Sequence, residues 1–74
     1  MKLRLKELRN EFGYTQTYVA EYLSIKQNTY SQYENEVREI SIDCLCKIAE
    51  LYDTSTDYIL NLTDEETPYR RKRG

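Results

Sequence analysis

The segment from residue 26 to residue 35 carries mostly amide and hydroxyl side chains. Solvent-facing helices more often carry Glu and Lys, which have higher helix propensity. Gln27, Asn28 and Gln32 could share one helix face, since Gln32 follows the other two by about one turn. A primary amide both donates and accepts hydrogen bonds, so it can pair with adenine N6 and N7 in a DNA major groove. These three residues are the predicted base-reading side chains, and the alternative is an ordinary polar helix face.

The sequence lacks the residue types that catalysis and metal binding need. It contains no histidine, and its carboxylates fall on predicted helix faces, where solvation is their ordinary role. Cys44 and Cys46 would point to different faces of a helix, so they cannot pair, and a zinc ion would lack ligands. The only glycines, Gly13 and Gly74, cannot form a glycine-rich phosphate loop. We therefore predict no enzymatic activity, metal or cofactor, and buried free thiols in a reducing cytoplasm.

An amphipathic first helix is predicted over residues 2–12. Leu5, Leu8 and Phe12 recur there at spacings of three and four, which is typical of a helix with one buried face. Gly13 then supplies the residue that most easily adopts the left-handed conformation in which many helices end.

A second and a third helix follow, separated by a short joint at 24–26. Thr15 is the predicted N-cap of the second helix, which ends near Ser24, and the third helix is the amide-rich segment. The side chains predicted to face the core are Val19, Ala20, Leu23, Tyr30 and Tyr33. A joint of this length, with the apolar Ile25 at its centre, is typical of a helix-turn-helix.

Two more helices complete the predicted fold. A loop over 36–40 leads to Ser41, the N-cap of a fourth helix, and Ser55 is the N-cap of a short fifth helix. The strongest apolar stripe of the chain is on the fourth helix and consists of Ile42, Leu45, Ile48, Ala49 and Tyr52. The apolar residues of the fifth helix are Tyr58, Ile59 and Leu62. Since no strand pattern occurs, the predicted class is all-α, with five short helices in a compact bundle.

One domain over residues 1–63 is predicted, followed by a charged, flexible tail over 64–74. A domain this small has marginal stability, which favours oligomerisation. Neither a signal peptide nor a stretch of roughly 20 apolar residues that could span a membrane is present, so we expect a soluble, cytoplasmic protein. The basic run at 70–73 either contacts DNA phosphate non-specifically or is solvated.

The formal net charge of −2 argues mildly against nucleic-acid binding, but the charges are polarised along the chain. Residues 1–9 hold four basic residues and one acidic residue, whereas residues 39–57 hold five acidic residues and one basic residue. One end of the chain could therefore face phosphate while the other faces away.

Eight tyrosines invite the hypothesis that bases of a single strand stack on them. Those that fall on apolar stripes, and are better explained as core residues, are Tyr30, Tyr33, Tyr52 and Tyr58. Tyr14, Tyr18 and Tyr22 are predicted to be partly exposed at four-residue spacing, and one of them could hydrogen-bond a phosphate.

Several short motifs stand in a fixed order along residues 3–62. They are Leu5-Lys6-Glu7-Leu8-Arg9, Tyr14-Thr15-Gln16, Val19-Ala20-Glu21-Tyr22-Leu23, Tyr30-Ser31-Gln32-Tyr33-Glu34, Ser41-Ile42, Leu45-Cys46-Lys47-Ile48-Ala49 and Thr54-Ser55-Thr56-Asp57-Tyr58-Ile59-Leu60. In this order and spacing they resemble the Cro/repressor (XRE) family of helix-turn-helix domains. The resemblance implies a lambda-repressor-like fold in which helices two and three form the DNA-binding motif.

The resemblance also implies roles for individual residues. The three amides of the third helix match base-reading positions, and Gln16 matches a glutamine that grips a backbone phosphate. The predicted phosphate contacts are Gln16, Lys26, Thr29, Asn35 and Arg38. Arg9 and Glu34 match an ion pair that ties the first helix to the third, and the alternative is two unrelated surface charges.

Three positions depart from the family pattern. Ser24 replaces a glycine at a turn position that favours positive φ, where a residue with a Cβ pays a modest cost. Glu36 replaces a glycine after the third helix, which carries the predicted base-reading residues. With Glu34 and Glu39, it places negative charge near the expected phosphate contacts. Ile40 stands where a proline often precedes the fourth helix.

The sequence therefore predicts a transcriptional regulator, most simply a repressor, that binds a two-fold symmetric operator in double-stranded DNA as a homodimer. The dimer surface is predicted at the fifth helix and the segment after it, from Ile59, Leu62 and part of Tyr58. The alternative is an antitoxin or adaptor on the same fold, whose protein partner covers a basic or tyrosine-rich face. A steep salt dependence combined with sequence preference would distinguish DNA binding from this alternative.

Overall fold

The computed structural model of the protein describes residues 2–67, and its regular secondary structure over that range is entirely helical. The helices are α1 (Leu5–Phe12), α2 (Gln16–Tyr22), α3 (Gln27–Glu34), α4 (Ile42–Leu51) and α5 (Thr56–Ile59). The predicted all-α class with five short helices is confirmed. Within the described range, no helix is long and apolar enough to cross a membrane.

Local sequence signals set most of the helix ends. The three predicted N-caps each accept a backbone N–H, with bonds from Tyr18 to Thr15 Oγ1 (3.0 Å), from Cys44 to Ser41 Oγ (3.2 Å) and from Tyr58 to Ser55 Oγ (3.0 Å). Gly13 ends α1 at a φ of +73°, the left-handed conformation expected there. These ends could be predicted because each depends on residues within one turn.

The first helix is shorter than predicted, since it begins at Leu5 rather than at residue 2. The preceding residues hydrogen-bond to distant parts of the chain instead. Leu3 N donates to Glu36 Oε1 at 3.0 Å, and Arg4 N donates to Ile59 O at 2.9 Å. The N-terminal segment therefore connects the loop after α3 to the end of α5.

One core lies between the five helices. Its buried apolar residues are Leu5, Leu8, Val19, Ala20, Leu23, Tyr30, Tyr33, Cys44, Ile48, Ala49, Tyr52 and Ile59. The predicted inward faces of α2 and α3 are confirmed, with Val19 and Tyr30 completely buried. Because Tyr30 and Tyr33 occupy the core, only the polar side of α3 faces outward.

The predicted buried face of α4 is wrong at its first residue. Ile42 is 78% exposed, and Cys44 lies in the core, whereas the expectation of two buried thiols fails at the exposed Cys46. The buried residues Cys44 and Ile48 lie four positions apart on one face of α4, and Ile42, two positions before Cys44, does not share that face. Leu45 and Ile48 do face inward, as half-buried and fully buried residues.

The predicted apolar surface of the fifth helix also needs correction. Ile59 is completely buried, so it cannot contribute to a dimer surface, and Leu62 is 65% exposed but lies beyond the helix, which ends at Ile59. The Tyr58 ring is half-buried, with the Arg4 guanidinium 4.2 Å from its centre. The core absorbs more of α5 than the sequence pattern indicated.

Residues 64–67, the first part of the predicted tail, contact the domain. Arg4 Nη2 lies 2.8 Å from Asp64 Oδ1, and Thr54 Oγ1 donates to the carbonyl oxygen of Glu66 at 2.6 Å. The rest of the predicted tail, with the basic run at 70–73, lies outside the described residues.

Candidate nucleic-acid interface

Helices α2 and α3 form a compact helix-turn-helix. Ser24, in the joint between them, has a φ of +58°, and Ile25 N donates back to Ala20 O at 3.0 Å. Ile25 is partly buried against the core. The tight turn and this apolar contact fix the direction in which α3 leaves α2, and so fix which of its side chains face outward.

The predicted base-reading residues all lie on α3, but their exposure differs. Gln27 and Asn28 are exposed at its N-terminal end, whereas Gln32, one turn later, is half-buried. Thr17 Oγ1 on α2 donates to Gln27 Oε1 at 2.9 Å. This bond holds the Gln27 side chain by its oxygen and leaves its amino group to donate outward.

Thr17 is a residue that the sequence analysis did not identify. It lies ten positions from Gln27 and follows no motif that would connect the two. Only the packing of α2 against α3 brings the hydroxyl and the amide together. In this arrangement Thr17 orients a candidate reading side chain before any ligand is present.

A polar cluster joins α1, α2 and α3 behind the exposed face. Arg9 Nε donates to Glu34 Oε2 at 2.6 Å and Arg9 Nη2 to Glu34 Oε1 at 3.2 Å, so the pair is bidentate. Gln16 Nε2 donates to the same Oε1 at 3.1 Å, and Arg9 Nη1 donates to Tyr14 O at 3.1 Å. The Arg9 and Glu34 side chains are only 14% and 3% exposed, unlike an incidental surface pair.

The cluster shifts the pKa values of its members. Burial opposes ionisation of Glu34, but hydrogen bonds from Arg9 and Gln16 and the nearby Tyr30 hydroxyl outweigh it, so the pKa of Glu34 is lowered. The hydrogen bond with Glu34 raises the pKa of Arg9. Burial, reinforced by the Glu34 carboxylate, raises the pKa of Tyr30. The cluster therefore consists of the ionised pair Arg9–Glu34, with the neutral Gln16 and Tyr30 side chains beside it.

The predicted phosphate contacts fall at the two ends of the reading helix. Lys26 is exposed at the N-cap of α3, and Asn35 is exposed at its C-cap, with Nδ2 3.4 Å from Ser31 Oγ. Arg38 is exposed in the following loop. Thr29 is half-buried on α3, and Gln16 begins α2 with its amide donating to Glu34.

The carboxylate of Glu36 is engaged with the protein rather than free beside these residues. Its Oε1 accepts the backbone N–H of Leu3 at 3.0 Å, and its own φ is +58°. The negative charge expected near the phosphate contacts is therefore partly compensated by a fixed donor. Among the described residues, no group of three or more His, Cys, Asp or Glu could hold a metal ion.

Comparison with known proteins agrees with this architecture. The family described as helix-turn-helix matches residues 5–59. The HTH-type transcriptional regulator ImmR of Bacillus subtilis is 49% identical over 57 residues, which cover 77% of this chain and 45% of ImmR. The uncharacterized HTH-type transcriptional regulator YobD of the same organism is 42% identical over 65 residues, covering 88% of this chain and 58% of YobD.

A third relative, the HTH-type transcriptional regulator AnsR of Bacillus subtilis, is 39% identical over 57 residues, covering 77% of this chain and 49% of AnsR. The chain spans about half the length of these curated relatives. No solved structure gives a significant match. The family match covers all five helices and includes the α2–α3 joint, so the chain belongs to the XRE-type helix-turn-helix family.

Proposed function

We propose that the chain is a DNA-binding transcriptional regulator that represses by occupying a two-fold symmetric operator as a homodimer. The observation that carries this proposal is the outer face of α3, where Gln27 and Asn28 project at the N-terminal end of a helix whose opposite side is locked in the core. The N-terminal residues of a recognition helix are those that meet base edges in a major groove. The proposed role places the protein in the cytoplasm, where the DNA is.

In this proposal, different residues supply the affinity for DNA and the preference for a particular base sequence. Contacts to phosphate from Gln16, Lys26, Thr29, Asn35 and Arg38 supply most of the affinity and fix the orientation on the duplex. The exposed amides of Gln27 and Asn28, with Gln32 further along the helix, supply the choice of sequence. Because Thr17 holds the Gln27 oxygen, we expect the Gln27 amino group to donate to a base acceptor such as N7 or O6.

The proposal of a dimer follows from the size of the domain. The Cα positions span 32 × 26 × 23 Å, and the described chain carries one reading helix. The half-sites of a symmetric operator lie about 34 Å apart, so one copy cannot reach both. We place the DNA-binding domain at residues 1–63, with the following residues as a charged extension.

Selection of bound duplexes from a random DNA library tests the proposal. The wild-type protein should enrich a two-fold symmetric site. A Gln27→Ala, Asn28→Ala variant should lose preference at defined base pairs, by about 1–3 kcal/mol for a bidentate contact of Asn28 and by less for the single bond that Gln27 donates. Asn10→Ala, which removes an exposed amide from α1, is the matched control and should keep the full preference.

The outcomes of this selection separate the proposal from its alternatives. If no sequence is enriched at low salt while the protein remains folded, sequence-specific DNA reading is wrong. If a site is enriched but the Asn10→Ala control loses preference as much as the double variant, the reading surface is not the outer face of α3.

A further inference from the structure

Three exposed aromatic side chains and the half-buried Tyr14 lie near one another on α1, α2 and the turn between them. We name this surface the aromatic face; it consists of Phe12, Tyr14, Tyr18 and Tyr22. Phe12, Tyr18 and Tyr22 are 41%, 47% and 41% exposed. Ring centres lie 5.8 Å apart for Phe12 and Tyr14 and 4.6 Å apart for Tyr14 and Tyr18. Tyr22 stands one helical turn after Tyr18, on the same side of α2.

The core supports two rings of the aromatic face, Phe12 and Tyr14. The buried Tyr52 ring at the end of α4 lies 4.9 Å from the Phe12 ring and 6.0 Å from the Tyr14 ring. Arg9 Nη1 also fixes the Tyr14 carbonyl oxygen. Rings that are already ordered lose little conformational entropy when a partner covers them, which is the property of tyrosines at binding hot spots.

The surroundings of the aromatic face are acidic. Neither residues 10–25, which carry the face, nor residues 48–67, which include its support, contain a lysine or arginine. Glu21 is exposed and lies three residues after Tyr18 on α2, so its carboxylate borders the tyrosine rings. The guanidinium of Arg9 is largely buried in its pair with Glu34.

The acidic charge and the exposed rings together indicate which kind of ligand the aromatic face could bind. A nucleic-acid backbone would meet the Glu21 carboxylate with no lysine or arginine from residues 10–25 or 48–67 to offset it, so stacked bases are disfavoured here. A guanidinium or ammonium group, in contrast, is attracted both by ring faces and by the bordering carboxylate. The chain contains such an arrangement elsewhere, since the Arg4 guanidinium lies over the Tyr58 ring while it binds Asp64.

We propose that the aromatic face binds a protein segment that presents arginine or lysine side chains together with apolar ones. The cations lie on the tyrosine rings and against Glu21, and the apolar side chains cover Phe12. This interaction is separate from the reading face of α3 and does not depend on DNA binding.

A titration followed by two-dimensional NMR of the full chain tests the proposal. The probe is a capped peptide of alternating arginine and leucine at low salt, and a peptide of glutamate and leucine is its counterpart. We expect the largest shifts at Phe12, Tyr18 and Tyr22 with the first peptide and none with the second.

Matched variants separate specific binding from general attraction to acidic residues. Tyr18→Ala should raise the Kd for the arginine peptide by about fivefold or more, as loss of a cation–π contact implies. Leu62→Ala, which trims an exposed apolar side chain elsewhere, should leave it unchanged. Glu21→Gln should weaken binding more than Glu39→Gln, which removes an exposed carboxylate outside the face.

The thermal unfolding of each variant shows that it is folded before its Kd is compared. Equal losses for Tyr18→Ala and Leu62→Ala, or shifts spread over all acidic residues without a maximum at the rings, would overturn the proposal.

Discussion

Four residues other than glycine adopt a positive φ in the described chain, and two of them stand next to the reading helix. Ser24 has a φ of +58° in the joint before α3, and Glu36 has the same value after it. The left-handed conformation costs a residue with a Cβ about 1–2 kcal/mol relative to right-handed backbone. The backbone is therefore strained on both sides of α3, the proposed DNA-binding helix.

Ser24→Gly is expected to stabilise the fold. Among residues 2–67, the exposed Ser24 hydroxyl makes no side-chain hydrogen bond, so glycine relieves the left-handed backbone without a loss of contacts. The expected gain in the free energy of unfolding is about 0.5–1 kcal/mol, reduced from the full conformational cost by the greater freedom of glycine in the unfolded chain. Urea unfolding of the two proteins measures it.

Glu36→Gly is the matched comparison at the other positive φ. Its carboxylate accepts the Leu3 N–H at 3.0 Å, a bond that glycine cannot replace. The loss of about 0.5–1.5 kcal/mol offsets the conformational gain, so the stability should change little. A larger gain for Glu36→Gly than for Ser24→Gly would show that the bond to Leu3 contributes nothing.

At the scale of the elements, the Arg9–Glu34 pair is the link that orients α3 against α1 and α2. It receives the Gln16 amide as well, so the start of α2 and the end of α3 share one carboxylate. Removing one partner of a buried pair leaves the other charge uncompensated. The pair therefore couples the stability of the domain to the position of its reading helix.

The stability of the domain should decrease with acid through Glu34. The unfolded carboxyl has the ordinary pKa of 4.5 and the folded one a lower pKa, so the folded state binds this proton less readily. Its contribution is complete above the unfolded value and is lost as the pH falls through the folded value. Urea unfolding from pH 7 to pH 3 should show a steeper loss for the wild-type protein than for Glu34→Gln.

The Glu34→Gln variant should already be less stable at pH 7, by about 1–3 kcal/mol, because a neutral amide leaves Arg9 without its counter-charge. Glu39→Gln changes an exposed carboxylate and is the control. Parallel pH profiles for the wild-type protein and Glu34→Gln would contradict the assignment of a lowered pKa to Glu34.

Residue types and periodicity could predict the contacts made within one turn, whereas the Arg9–Glu34 pair, 25 positions apart, was expected only from the family resemblance. Thr15, Ser41 and Ser55 cap their helices through bonds that span three residues, and their residue types indicate this directly. Arg4 instead binds Asp64, 60 positions away, and Thr17 binds Gln27 across a helix–helix contact. Composition and periodicity carry no information about such pairs.

The same distinction explains the errors in burial. Periodicity grouped Ile42 with the inward residues of α4, but the buried face contains Cys44 and Ile48, and Ile42 is 78% exposed outside it. For α5, periodicity placed Ile59 on the apolar side of the helix, but it could not show that the core of the same chain would bury this residue completely. For the candidate site, periodicity and residue types predicted the third helix and its outward amides. The orientation of the Gln27 amide depends on Thr17, which only the packing of α2 against α3 brings into contact with it.

At the scale of the whole molecule, the proposed dimer needs an apolar surface, and the buried Ile59 removes the centre of the one predicted from the sequence. A groove of about 550 Å³ lies beside the loop after α3. Its apolar lining residues are Leu3, Tyr33, Val37, Ile40, Leu45 and Leu60. Val37 is 74% exposed on the same loop, so a second copy could insert its own Val37 there under two-fold symmetry.

Val37→Glu should dissociate such a dimer, because it places a carboxylate where the apolar lining of the second copy would enclose it. We expect at least a tenfold weaker self-association, or about 1.4 kcal/mol, by sedimentation equilibrium. Because Val37 is next to Arg38, a proposed phosphate contact in the same groove, the added carboxylate should also weaken binding to a half-site, so self-association without DNA is the deciding measurement. Leu62→Glu carries the same charge on the segment predicted from the sequence. If Leu62→Glu dissociates the dimer and Val37→Glu does not, the second copy binds beyond α5 and the groove has another role.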